Sequence, residues 1–107
     1  MTMKTIKVTD IAQDNSVLGR FRGGELRRAA VETLNQESRV RFDFDGMVVI
    51  TQSAADEFVG RLRRYDEPLL DRIAFANCSE DVSHMLQWAV DNAFSVTERQ
   101  AALGLHD

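Results

Sequence analysis

The chain has 107 residues, of which 44 % are hydrophobic and 28 % are charged, and its formal net charge at pH 7 is −4. This length suits one domain with one hydrophobic core, and the composition excludes a largely disordered chain. The acidic balance gives no basic field for nucleic acid, no apolar run is long enough to span a membrane, and the single cysteine, Cys78, cannot form an internal disulfide. Because the N-terminal residues also lack a signal-peptide core, we expect a cytoplasmic protein.

The first predicted elements are a strand and a helix separated by a polar connection. Residues 4–8 (KTIKV) alternate polar and apolar side chains, which predicts a short strand, and a second short strand is expected around residues 16–18. Residues 22–38 (RGGELRRAAVETLNQES) then place apolar side chains at helical spacing. Gly23 and Gly24 are expected to form a sharp turn just before this helix.

Residues 39–46 (RVRFDFDG) carry the clearest strand pattern of the chain. Val40, Phe42 and Phe44 point to one side of the predicted strand, and charged side chains point to the other. Strict alternation predicts one packed face and one face that is wet or only partly covered. The pair Asp45–Gly46 is typical of a turn that ends the strand.

The remaining pattern predicts a helix, a strand and a closing helix. Residues 53–65 form an amphipathic helix that ends before Pro68, and residues 72–78 (RIAFANC) form a strand. Residues 79–94 form a second amphipathic helix with Ser79 as its N-cap. The tail, 95–107, is expected to continue this helix or to fray.

Strands and helices therefore alternate along the chain. This order favours right-handed crossover connections and parallel pairing of the strands. We predict an α/β fold in one domain, 1–107, with its core in residues 4–94. It should have a small mixed β-sheet with helices mainly on one face.

The sequence offers little that favours an enzyme. The glycine pair lacks the Lys and Ser/Thr of a phosphate-binding loop, and no GxSxG or HExxH motif is present. Asp43 and Asp45 could do acid–base chemistry if a pocket held them, but at a strand end they are more typical of a turn. We therefore expect no catalytic residues, no metal and no cofactor.

Ser53 stands where an apolar run meets the predicted helix in residues 48–62 (VVITQSAADEFVGRL). One interpretation is purely structural, because Ser53 and Asp56 resemble a capping box in which Ser53 is the N-cap. The other is functional. A serine hydroxyl at an exposed helix N-terminus can receive a phosphate, whose charge the helix dipole tolerates.

Residues 40–62 (VRFDFDGMVVITQSAADEFVGRL) resemble the central segment of STAS domains, which occur in sulfate transporters and anti-sigma factor antagonists. The loop of that family reads Asp-Ser-Ser-Gly, and a partner kinase phosphorylates its second serine. That serine falls on Ser53, whereas the other three positions hold Thr51, Gln52 and Ala54. These departures point to a STAS-like branch of uncharacterised bacterial domains.

Two further segments are similar to that branch, GRFRGGELRR at residues 19–28 and SAADEFVGRL at residues 53–62. The resemblance extends over about residues 4–94. Members of the branch resemble components that work beside histidine-kinase-type ATPases. The resemblance therefore implies a non-enzymatic regulatory module that binds a protein partner and is switched at Ser53.

The same interpretation assigns a set of partner-binding residues around Ser53. They are Asp45, Thr51, Gln52, Asp56, Glu57 and Arg61. The main alternative is a small-ligand or nucleotide-binding module that uses Arg20, Arg22, Gly23 and Gly24 near a helix start. A third, weaker possibility is a hydrolase or transferase built on Asp43 and Asp45.

Overall fold

The computed structural model describes residues 2–94, and the expected helical or frayed tail lies outside this range. The strands are β1 (Met3–Lys7), β2 (Ser16–Val17), β3 (Arg39–Asp43), β4 (Val49–Ile50) and β5 (Ile73–Ala76). The helices are α1 (Val8–Ala12), α2 (Gly19–Leu34), α3 (Gln52–Ala55), α4 (Arg61–Tyr65), α5 (Glu67–Leu70) and α6 (Glu80–Asp91). A π-helical segment (Asp56–Gly60) joins α3 to α4. These three segments together, residues 52–65, are called the Ser53 helix below.

The strands form two parallel sheets. Three strands associate in the order β1-β3-β5, and β2 pairs with β4 in a separate two-stranded sheet. In the larger sheet Ile6 lies opposite Phe42, and Phe42 lies opposite Phe75. Helices connect the successive strands of this sheet, so the predicted α/β class and the predicted parallel pairing are both confirmed.

The alternation predicted for the central strand is present in β3. Val40 and Phe42 are fully buried, whereas Arg41 on the opposite face is exposed. The Phe42 ring packs edge-on against Phe58 of the Ser53 helix, with ring centroids 5.1 Å apart. The larger sheet therefore packs its apolar face on the helices and leaves its polar face open.

Arg72 fastens the end of α2 to the start of β5. Its guanidinium donates to the backbone oxygens of Leu34, Glu37 and Ser38 at 2.9–3.0 Å. The last carbonyls of a helix have no partner within the helix, and a cation there also complements the helix dipole. One side chain thus satisfies the C-terminal end of α2 and fixes where β5 enters the sheet.

Several local predictions differ from the structure. Residues 8–12, expected to lie partly in a polar connection, form α1, and the short strand β4 was not predicted. The predicted turn at Gly23 and Gly24 is wrong, because α2 already begins at Gly19 and both glycines are buried inside it. Within residues 2–94, no helix is both long and apolar enough to cross a membrane.

The glycine pair is explained by the way that α2 packs on the Ser53 helix. A Cβ atom at position 23 would lie 2.2 Å from the carbonyl oxygen of Ala54 and 2.8 Å from its Cα. The two backbones are therefore in direct contact at this point. At position 24 the nearest atom would be the Arg28 guanidinium, at 3.3 Å, and that side chain can move.

We expect Gly23→Ala to lower the free energy of unfolding by about 2 kcal/mol or more, because the new methyl group meets backbone that cannot yield. Gly24→Ala is the matched control. It adds the same methyl group one residue away and should be neutral or stabilising by up to about 1 kcal/mol, since alanine favours the helix. Urea unfolding followed by circular dichroism measures both. Equal effects of the two substitutions would contradict the close crossing.

Candidate functional site

The helix that carries Ser53 is capped by Thr51, so the predicted N-cap at Ser53 is wrong. Thr51 has extended backbone angles (φ −73°, ψ 158°), and its Oγ1 accepts a hydrogen bond from the Ala54 amide at 3.3 Å. The same oxygen accepts from the Gly19 amide at 2.9 Å. Thr51 therefore caps α3 and also fixes the first residue of α2 beside it.

With the cap at Thr51, Ser53 is free of a capping role and lies in the first turn of the helix. Its side chain is half-buried, and its Oγ lies 3.4 Å from Thr51 Oγ1. This is its only side-chain hydrogen-bond partner within residues 2–94. First-turn amides carry the positive end of the helix dipole. The Ser53 hydroxyl is thus close to the surface and weakly engaged by the fold.

Three exposed apolar side chains, called the apolar border, lie on the chain segments just before α2 and α3. Leu18 and Val48 are each 56 % exposed, and Val49 is 40 % exposed. The Thr51 amide donates to the carbonyl of Val17 at 3.0 Å, which places Leu18 next to the N-cap. Apolar side chains grouped at a surface are typical of a contact site for another molecule.

Asp56, predicted as a partner contact, is instead buried in the fold. It is 4 % exposed, and its two oxygens accept from Arg64 Nη1 at 2.7 Å and from Arg20 Nη1 at 2.9 Å. A Cβ atom at position 60 would lie 2.6 Å from Asp56 Oδ1, so Gly60 makes room for the carboxylate. Burial alone would raise the pKa of Asp56, but the hydrogen bonds from Arg64 and Arg20 outweigh it and lower this pKa below its ordinary value.

Glu57 is held by arginines of α2 and α4. Arg27 Nη1 lies 3.3 Å from Glu57 Oε1 and donates to the Glu57 carbonyl at 2.7 Å. Arg20 lies 3.4 Å from the other carboxylate oxygen, and Arg61 lies 3.9 Å from Oε1. Five charged side chains form the Asp56 cluster, which joins α2 to the Ser53 helix. They are Asp56, Glu57, Arg20, Arg27 and Arg64.

The structure does not bring the residues of the alternative ligand site together as a phosphate cradle. Arg20 belongs to the Asp56 cluster, and Arg22 pairs with Glu25 at 2.6 Å on its own helix. Gly23 and Gly24 are buried inside α2, where their amides are part of the helix. No feature of these four residues forms an open binding loop.

Asp43 and Asp45 are arranged as turn residues. Asp43 Oδ1 accepts from Asn77 Nδ2 and from the Asp45 amide, each at 2.9 Å. These hydrogen bonds, that of Asn77 first, lower the pKa of Asp43. Gly46 has a left-handed φ of 82°, and the Met47 amide closes the turn onto Phe44 at 2.9 Å. The predicted turn is thus confirmed, and Asp45 is exposed within it.

A groove that sequence reasoning did not find lies between β4 and α6. Its volume is about 500 Å³, and its lining residues are Val49, Ile50, Asp81, His84, Met85 and Trp88. The sequence did carry a sign of this groove, because positions 81, 84, 85 and 88 are spaced so that they form a second stripe on α6, beside its buried stripe. Only the packing of β4 against that stripe makes it a groove.

We expect Thr51→Val to lower the free energy of unfolding by about 1 kcal/mol, because it removes the acceptor for two backbone amides while keeping the side-chain shape. Ser53→Ala is the matched control and should change stability by less than about 0.5 kcal/mol. Thermal and urea unfolding measure both. A larger loss for Ser53→Ala than for Thr51→Val would restore Ser53 as the cap.

We expect Asp56→Asn to be less stable than the unmodified chain by about 2 kcal/mol at pH 7, because charged hydrogen bonds to two arginines are lost. The folded pKa of Asp56 is lowered, so its carboxylate stabilises the fold above the unfolded pKa of about 3.9. That contribution is lost as the pH falls through the folded pKa. The difference between the two proteins should therefore shrink below about pH 4.

Urea unfolding between pH 2.5 and pH 7 checks this expectation, with Asp91→Asn, an exposed carboxylate outside the cluster, as the control. A stability difference for Asp56→Asn that stays constant over the whole range would contradict a charged Asp56.

Comparison with known proteins agrees with this architecture. Neither a search of curated proteins nor a search of solved structures gave a match. Residues 22–83, more than half of the chain, match the family described as STAS-like domain of unknown function (DUF4325). This matched segment begins in α2 and ends in α6, so it contains the whole Ser53 helix and its crossing with α2. The chain therefore belongs to the STAS-like family DUF4325.

Proposed function

We propose that this STAS-like domain is a non-enzymatic regulatory module that binds a protein partner through the surface around Ser53. The resemblance to anti-sigma factor antagonists makes a histidine-kinase-type ATPase the partner class of this proposal. Ser53 is the contact point and the modification point.

One observation carries this proposal, namely a weakly engaged serine hydroxyl in the first turn of a helix beside exposed apolar side chains. Ser53 Oγ has only the Thr51 hydroxyl as a neighbour within hydrogen-bond reach in the described range. Leu18 lies beside the same N-cap, and Leu18 and Val48 are each more than half exposed. Protein interfaces combine an apolar centre with polar groups that fix orientation, and this surface offers both.

The burial of Asp56 changes the set of residues that such a partner would touch. Asp56 is committed to Arg64 and Arg20, so the proposed surface does not include it. Gln52 is exposed, and Arg61 keeps 45 % of its side-chain surface in solvent. The contact surface proposed here consists of Ser53 and Gln52 at the centre, the apolar border on one side and Arg61 at the rim.

Phosphate on Ser53 would act on this surface through charge. It adds nearly two negative charges at neutral pH, and the positive end of the helix dipole offsets part of that charge within the fold. Glu57, further along the same helix, is paired with Arg27, Arg20 and Arg61, so the charge added to the surface is that of the phosphate itself. On docking to the phosphorylated surface, a partner would bring its own negative charges close to the phosphate or would remove water from the phosphate. Either effect would lower the affinity of the partner for this surface.

The environment of Ser53 supports binding rather than catalysis. A nucleophilic serine is activated by a base within hydrogen-bond reach, and the group beside Ser53 Oγ is the hydroxyl of Thr51. The paired carboxylates Asp43 and Asp45 serve the turn after β3. The proposal therefore assigns no reaction to this chain itself.

The test is coexpression with a histidine-kinase-type ATPase encoded near this chain, followed by mass spectrometry and binding measurements. We expect phosphate on Ser53, and we expect Ser53→Asp to weaken ATPase binding by about tenfold or more, which is about 1.4 kcal/mol. Ser83→Asp, which introduces the same charge at an exposed serine of α6, should leave binding unchanged.

Two results would retire the proposal. They are an absence of phosphate on Ser53 after coexpression, and unchanged ATPase binding by Ser53→Asp in calorimetry. Circular dichroism verifies that each variant keeps the wild-type fold. Because the fold engages the Ser53 side chain only weakly, we expect substitution of Ser53 to leave the fold intact.

A further inference from the structure

The groove between β4 and α6 has two walls of different kinds. One wall is Val49 and Ile50 of β4, and the other is a stripe of α6 that includes Met85 and Trp88. Successive side chains of a strand point to opposite faces, so a groove that touches both Val49 and Ile50 runs along the edge of β4. Its volume of about 500 Å³ lies in the range typical of ligand-binding clefts.

The edge of β4 at this groove has no strand beside it within residues 2–94. In the described part of the chain β4 pairs with β2 alone, and each strand has two residues. The amides of Val48 and Thr51 both donate towards β2, to the carbonyls of Asn15 and Val17, so the hydrogen bonds described for this segment lie on its β2 side. A two-stranded ladder of this length has little stability of its own and offers its free edge to a further strand.

The helix wall supplies side chains suited to holding such a strand. Met85 and Trp88 are half-buried, which leaves a flexible thioether and a large aromatic ring facing the groove. Both residue types are enriched where proteins bind peptides. Asp81, exposed in the first turn of α6, gives this apolar groove an acidic end.

We propose that this groove binds an extended peptide segment of a protein partner, which adds to β4 as a third strand. Main-chain hydrogen bonds to the β4 edge supply affinity, and alternate apolar side chains of the peptide pack on Met85 and Trp88. A Lys or Arg of the peptide pairs with Asp81. The occupant is therefore an apolar, basic, extended segment rather than an amphipathic helix or a nucleotide.

This inference deepens the protein-binding function proposed above and rests on it for its biological setting. β4 leads directly into the Thr51 cap, and Ile50 is followed three residues later by Ser53. A peptide along β4 would therefore end beside the Ser53 surface. The groove and the serine would form two parts of one contact site.

The experiment uses the full chain and a phage-displayed library of random nine-residue peptides as the probe. We expect selection of peptides with alternating apolar residues and at least one Lys or Arg. Trp88 is the only tryptophan of the chain, so binding of a selected synthetic peptide should shift the tryptophan emission. In ¹⁵N-resolved NMR spectra the amide signals of residues 48–51 and 81–88 should move most.

Variants localise the binding. Val49→Lys, at a 40 % exposed position, should weaken binding of the selected peptides by about tenfold or more, because it places a charge on the strand edge. Asp81→Asn should abolish the preference for Lys or Arg when each selected peptide is compared with its neutral counterpart. Tyr65→Ala removes an exposed aromatic side chain from another surface and is the control that should bind normally.

The proposal is overturned if the library yields no binding peptide, if the NMR shifts lie elsewhere, or if Val49→Lys binds as tightly as the unmodified chain. Light scattering that shows a dimer broken by Val49→Lys would assign the edge to a second copy and would also overturn it. Peptide binding is measured without an ATPase and without phosphate. Failure of the Ser53 switch therefore leaves this result unaffected, and the two proposals can fail separately.

Discussion

The contact on which the rest of the structure depends is the crossing of α2 over the Ser53 helix at Gly23. There the backbone of one helix lies against the Ala54 backbone of the other, at a distance that excludes any side chain. This crossing holds the two helices at backbone contact, and near it the Gly19 amide donates to the Thr51 cap. The position of Ser53 at the surface therefore follows from a glycine thirty residues earlier in the chain.

Charge is divided between the interior of this crossing and its surface. Asp56 and Arg64 are buried within the Ser53 helix, Arg20, with 52 % of its side chain exposed, carries the ion pair across to α2, and Gly60 supplies the space that the carboxylate needs. A buried carboxylate is tolerated only when it is fully paired, and here both oxygens are. The residues left at the surface are Gln52 and the half-buried Ser53 of the first helical turn, together with the apolar border. The two segments that resemble the STAS-like branch, residues 19–28 and 53–62, thus serve in large part for packing, and the proposed function depends on what that packing leaves exposed.

The sequence predicted the α/β class, the alternating strand β3 and the amphipathic helix α6, because each has a strong local periodicity. It misread Gly23 and Gly24, since glycine pairs are typical of turns and only the neighbouring helix reveals a backbone contact. It also placed the cap two residues late, because Thr51 and Ser53 are both good caps and backbone angles decide between them. Asp56 looked like an exposed capping partner because its arginines lie eight residues after it and thirty-six before it. The groove between β4 and α6 joins segments more than thirty residues apart, so no local pattern could reveal it.

The parallel arrangement of the strands has a consequence for how this chain folds. Met3 pairs with Arg39, 36 positions away, while Ser16 pairs with Val49 and Val40 with Ile73, each 33 positions away. The described sheets contain no hairpin that could serve as an early nucleus. Two strands of a parallel pair can associate only after the chain between them, including its helix, is in place. During synthesis, β1 therefore remains without a partner strand until β3 has left the ribosome, and its free edges must be kept from neighbouring chains in that interval.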